Sequence, residues 1–149
     1  MVGGKDKTVA ELNKFIAGLK KDFEQFRFRE GKKFMFRPSR TIIFEPLADY
    51  LESPEKYKLS LLHELGHAIL EHKFYITDPE RLRMESEAWE KVRELCLRYG
   101  VDYDEDYAEG ELDTYRDWLH RRSSCPECGL TRYQTRDGEY HCPLCEGDR

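Results

Sequence analysis

The sequence predicts an α+β chain: a mainly helical domain with a small antiparallel sheet, followed by a short all-β module. Three observations carry this reading. Apolar residues recur at helical spacing through most of the chain, residues 26–44 switch to period two, and two Cys-x-x-Cys pairs follow residue 124. A chain of 149 residues suits one domain with room for a small appended module. Charged residues make up 37% and hydrophobic ones 39%, against usual values of about 25% and about 45–50%. That balance describes a polar surface around a modest core, helped by 13% aromatics, and not a disordered chain.

Thr8 followed by Glu11 reads as a capping box, and Val9, Leu12, Ile16, Leu19 and Phe23 then recur at helical spacing, so a first helix runs to about residue 23. Phe26, Phe28, Phe34, Phe36, Ile42 and Phe44 alternate, with turn residues at Gly31 and Pro38-Ser39 between them. Three antiparallel strands are expected, at about 24–29, 33–37 and 41–45, and so small a sheet needs a helix against its apolar face. Ser53-Pro54 and Asp78-Pro79 each pair a cap residue with proline at the first helical position. They predict helices from 54 to about 72 and from 79 to about 99, the second stopped by Gly100. An acidic, tyrosine-rich link over 102–109 leads to a last helix marked by Leu112, Tyr115, Trp118 and Leu119 that ends near Arg122. Ser123-Ser124 divides a domain over residues 1–122 from a module over 123–149.

His63-Glu64-Leu65-Gly66-His67 lies inside the apolar run Leu59–Leu70. Residues four apart share a helix face, so both imidazoles can reach one Zn²⁺ while Glu64 serves as general base. Two imidazoles on an otherwise apolar helix need partners, which an ion supplies. A catalytic zinc usually has three protein ligands and one open position. His72, five residues beyond His67, is rotated away from that face. Glu85 lies three after Leu82, three before Ala88 and seven before Val92, on the buried stripe of the next helix; Glu87 falls with Arg83, Glu90, Lys91 and Glu94 on its polar side. A carboxylate on an apolar face is costly unless paired, which favours Glu85 as third ligand and leaves Glu87 as the alternative. Ala88, one turn on, lets the two helices approach closely.

The run His63–Leu70 together with Glu85-Ser86-Glu87-Ala88 resembles the ImmA/IrrE family of metallopeptidases over roughly residues 40–100. The resemblance implies a zincin-like domain of the gluzincin type. Within it His63, His67 and Glu85 would bind the catalytic zinc and Glu64 would be the base. Members of that family cleave repressor proteins, often helix-turn-helix regulators, so the expected partner is a protein substrate of that kind. Two features depart from the pattern. Trp89 stands where the family usually has Asn or Asp, a position that bears on hydrogen bonds orienting a histidine, and the cysteine module is not part of the minimal family domain. An HExxH domain followed by a zinc ribbon is similar to the SprT-like proteases. Those use a third histidine shortly downstream, and none occurs between His72 and His120.

Cys125, Cys128, Cys142 and Cys145 form two CPxC knuckles, the pattern of a Cys₄ structural zinc. Asp137-Gly138 between strand-like runs predicts a hairpin joining them. Cys96 reads as a small buried hydrophobe. Tyr133, Tyr140, Arg132 and Arg136 offer stacking and phosphate contacts. The charge balance of residues 121–149, five of each sign, argues against a strong nucleic-acid footprint. Residues 1–40 hold eleven Lys/Arg against five Asp/Glu, and residues 41–120 nine against twenty. The basic segment reads first as a solvated face complementing the acidic remainder. Absence of an apolar leader or membrane-length segment predicts a cytoplasmic protein. Three functions are therefore set against one another: a zinc endopeptidase, a nucleic-acid-associated protease of the SprT-like kind, and a non-catalytic zinc-binding interaction module.

Overall fold

The computed structural model describes residues 3–146. Among them are four helices, α1 (Gly4–Asp22), α2 (Pro54–Ile69), α3 (Asp78–Tyr99) and α4 (Glu105–Ser123). The strands are β1 (Arg27–Glu30), β2 (Met35–Arg37), β3 (Thr41–Phe44), β4 (Tyr133–Gln134) and β5 (Tyr140–His141). The α+β class expected from the sequence is present. Two compact units divide the chain: residues up to Lys73 with Glu87–Tyr103, and Phe74–Ser86 with residues from Asp104 on. Helix α3 is unbroken and contributes to both. None of the described helices is long and apolar enough to cross a membrane.

In the first unit, α1 presents Leu12, Ile16 and Leu19 to the core, the stripe that their spacing predicts. The helix begins four residues before the supposed cap. Thr8 lies inside it and its hydroxyl donates to the Gly4 carbonyl, so the capping-box reading is corrected. The expected all-antiparallel sheet is also corrected. Strand order is β1-β3-β2, with β1 parallel and β2 antiparallel to β3. The reason is burial: Thr41-Ile42-Ile43-Phe44 is buried at every position and takes the centre, whereas β1 and β2 are exposed except at Phe28 and Phe36 and suit edges. Helix α2 packs against β2 and β3, and its Leu61, Leu62 and Leu65 are fully buried. Pro54 stands in its first turn, but the Ser53 side chain makes no capping hydrogen bond. Tyr57 is fully buried, donates to the Glu45 carbonyl at 2.7 Å, and meets the rings of Phe34 and Tyr50 edge-on. Lys58 fastens α2 to α1 through Glu11 at 2.5 Å.

The second unit holds little apolar material. Its buried apolar side chains among the described residues are Ala108, Leu112, Cys125 and Cys142. Polar contacts do more of the work. Arg81 lies over the rings of Tyr75, Tyr115 and Trp118 at 5.0–5.4 Å. Asp104 caps α4 by accepting from the Tyr107 N–H, so the acidic segment read as a link is the first turns of that helix. Asp78, 2% exposed, accepts from Arg122 Nε at 2.6 Å and from the Tyr140 hydroxyl, while its own N–H donates to Gln134 at 2.6 Å. The end of α4 and both hairpin strands are thereby tied to the start of α3. The hairpin itself turns at Asp137-Gly138 as expected, with Gly138 at φ +89°, a conformation that favours glycine.

Burial alone would raise the Asp78 pKa, but the hydrogen bonds from Tyr140 and Arg122 outweigh it and hold the carboxyl below its usual value. A depressed folded-state pKa contributes stability above the unfolded value of about 3.9 and loses it as pH falls through the folded value. Denaturant melts of wild type and Asp78→Asn should therefore differ by about 1–3 kcal/mol at neutral pH. The gap should close in acid below about pH 4.

Candidate metal centres

Gly66 places the first centre. A Cβ on Gly66 would lie 2.9 Å from the Ala88 carbonyl oxygen and 3.5 Å from Lys91 Cβ, so α2 and α3 touch backbone to backbone here. Ala88 is itself fully buried. The expectation that a small residue permits a close approach holds, with Gly66 as the more demanding half of the contact. Because α3 is continuous, its register against α2 carries Glu85 along with it.

His63, His67 and Glu85 each offer a ligand atom, and these atoms all lie within 4.8 Å of one another. The two Nε2 atoms are 3.1 Å apart. A tetrahedral Zn²⁺, bound at about 2.0–2.1 Å to each nitrogen, would hold them about 3.3–3.4 Å apart, within about 0.3 Å of this spacing. The residues therefore fit a metal. His67 and Glu85 are each 8% exposed, whereas the Glu87 side chain is 46% exposed and outside the group. The helical-face argument for Glu85 over Glu87 agrees with this placement. Glu64 is half-buried on α2, next to His63 in the chain.

Two neighbours orient the imidazoles. Trp89, singled out as a departure from the family pattern, stacks on His63 with centroids 4.5 Å apart and planes at 25°. Flat stacking constrains ring orientation, the task an Asn or Asp would perform by hydrogen bonding. His72, set aside as a ligand, stays outside the group, but its contact with His67 was not foreseen from the sequence. Its Nδ1 lies 3.0 Å from His67 Nδ1, and its Nε2 lies 3.6 Å from Glu87. The rotation argument against His72 assumed a helix to residue 72, but α2 ends at Ile69 and Glu71 takes φ +58°. That left-handed residue swings His72 back beneath His67. With His67 Nε2 turned to a metal, its Nδ1–H donates to His72 Nδ1, which leaves the His72 proton on the side of Glu87. An ordinarily unfavourable φ before a histidine was the missing signal, and no residue type announces it.

The second centre is the four-cysteine cluster. Cys125, Cys128, Cys142 and Cys145 lie with sulfurs within 4.8 Å of one another, Cys128–Cys142 at 3.5 Å and Cys125–Cys145 at 3.9 Å. Tetrahedral thiolates around a zinc at about 2.3 Å stand about 3.8 Å apart, and none of the four is in a disulfide. Backbone N–H groups of Cys128 and Glu127 point at Cys125 and pull its thiol down to about 7. Such amide–sulfur bonds favour the thiolate that ligation requires. Cys96, by contrast, is buried and pushed up to about 11, in keeping with an inert core thiol.

The Tyr75 hydroxyl accepts from Arg81 at 3.2 Å, and Arg93 lies over the Tyr103 ring at 4.3 Å; Tyr107 and His120 are on α4. Comparison with family models, curated proteins and solved structures finds no match to this chain.

Two groups able to hold a metal predict two ions per chain, falling to one in His63→Ala or Glu85→Gln, as read by metal content after gel filtration. Gly66→Ala should improve intrinsic helix propensity by about 1 kcal/mol. The clash with the Ala88 carbonyl outweighs this gain, since backbone cannot rotate aside. The variant should lose net stability and its histidine-site metal while keeping the cysteine-site metal.

Proposed function

We propose that this protein is a zinc-dependent endopeptidase of the zincin-like, ImmA/IrrE kind, with a second, structural zinc on the four cysteines. The observation that carries the reading is the pair of imidazole nitrogens 3.1 Å apart, joined by a buried carboxylate from the next helix. A donor set of two histidines and one carboxylate leaves a coordination position open, whereas four thiolates close theirs. Chemistry is therefore assigned to the first centre and stability to the second.

Zinc in such a set lowers the pKa of a water towards about 7 and polarises a carbonyl oxygen. The chain supplies the remaining parts. Glu64 accepts the proton of the attacking water and delivers it to the leaving amine, a task suited to a carboxylate beside the ligand it follows in sequence. Trp89 holds the plane of His63, and His72 engages the Nδ1 of His67 so that Nε2 is presented to the ion. The resemblance to repressor-cleaving peptidases makes a regulatory protein, such as a helix-turn-helix repressor, the favoured substrate. A carboxylate as third ligand favours this family over the SprT-like one, and His72 faces the far nitrogen of His67. A purely structural site has no use for a base at Glu64, which speaks against a non-catalytic interaction module.

Glu64→Gln should retain both metals and the fold yet hydrolyse an unfolded test protein at least about 100-fold more slowly. Equal hydrolysis by the variant and the wild type would remove Glu64 from the mechanism and the peptidase reading with it.

A further inference from the structure

A hollow of about 290 Å³ lies between the end of α4 and the cysteine module, lined by Arg121, Arg122, Ser124, Pro126, Arg132 and Tyr140. We propose that it binds one phosphate group, borne by a small phosphorylated ligand or present as free phosphate. Three arginines line it, and among the described residues one carboxylate pairs with them, Asp78 on Arg122 Nε at 2.6 Å. Asp78 offsets one of these charges; Arg121 and Arg132 have no carboxylate partner among the described residues.

Arg132 carries the argument furthest. Its Nη2 donates to the Arg122 carbonyl at 2.5 Å, and its guanidinium lies over the Tyr140 ring at 4.8 Å, so its plane is held in place. Its Nε is buried with no hydrogen-bond partner among the described residues. A desolvated donor on a cation is unfavourable unless an acceptor reaches it, and an oxyanion is the acceptor that three guanidiniums select. The end of a helix ordinarily repels anions through its exposed carbonyls. Here three of the last four carbonyls of α4 accept hydrogen bonds. His120 accepts from the Ser124 N–H and hydroxyl and from the Ser123 hydroxyl, and Ser123 and Arg122 accept from Arg132.

A single phosphate is favoured over a nucleic-acid strand. The Tyr140 face that a base would stack on is covered by Arg132, and the excess of acidic residues over 41–120 opposes a polyanion. The inference does not depend on the peptidase reading.

The test is calorimetric titration of inorganic phosphate into the metal-loaded full chain at low ionic strength. A His63→Ala background keeps phosphate from being held at the histidine centre. Saturable one-to-one binding is expected, weakened about tenfold or more by Arg121→Ala and by Arg132→Ala and unchanged by Arg116→Ala on the same helix. Should Arg132→Ala lose its cysteine-site metal, and with it the fold of the module, the exposed Arg121 variant decides the matter. Absence of saturable binding, or equal affinity in Arg121→Ala, overturns the proposal and leaves the arginines as counter-charge to the metal thiolates. Tight, steeply salt-dependent binding of a single-stranded oligonucleotide through the same arginines overturns it in favour of nucleic acid.

Discussion

The backbone contact between Gly66 on α2 and the Ala88 carbonyl on α3 is the constraint from which the histidine centre follows. Two helices bearing ordinary side chains keep their axes about 8–10 Å apart. A glycine facing a buried alanine draws them together, and the turn preceding Ala88 then sets Glu85 beside His63 and His67. Burial makes this placement consequential. His67 and Glu85, each 8% exposed, offer their ligand atoms within one largely buried group.

Orientation of the imidazoles comes from contacts of two different kinds. His63 is held by the flat face of Trp89, His67 by the nearest nitrogen of His72. Each leaves the Nε2 atom directed at its counterpart. His72 comes into range because α2 stops at Ile69 and Glu71 reverses the chain in a left-handed conformation.

The second unit is built differently. With few buried apolar side chains, it relies on cation–π contacts around Arg81, on the hydrogen bonds converging on Asp78, and on four sulfurs gathered to one point. Small modules of this kind draw their stability from a bound ion because area burial is too small to offset chain entropy. The depressed thiol of Cys125 suits it to enter such a cluster as thiolate. The same neighbourhood concentrates arginines at the end of α4.

Local pattern alone was enough for the presence of the four helices, though not for the starts of α1 and α4 or the end of α2, and for the two cysteine knuckles, the hairpin turn at Asp137-Gly138, and the burial of Glu85 where Glu87 is exposed. Each depends on residues near in sequence, through a 3.6-residue period, a fixed ligand spacing or a turn propensity. Strand order was not legible, because whether Thr41–Phe44 pairs with one neighbour or sits between two is settled by which strand the core buries most completely. Nor were the roles of Trp89 and His72, nor the hollow joining Arg121 to Arg132. These rest on groups made neighbours by packing and by a single φ angle, and neither quantity is written in the spacing of side chains along the chain.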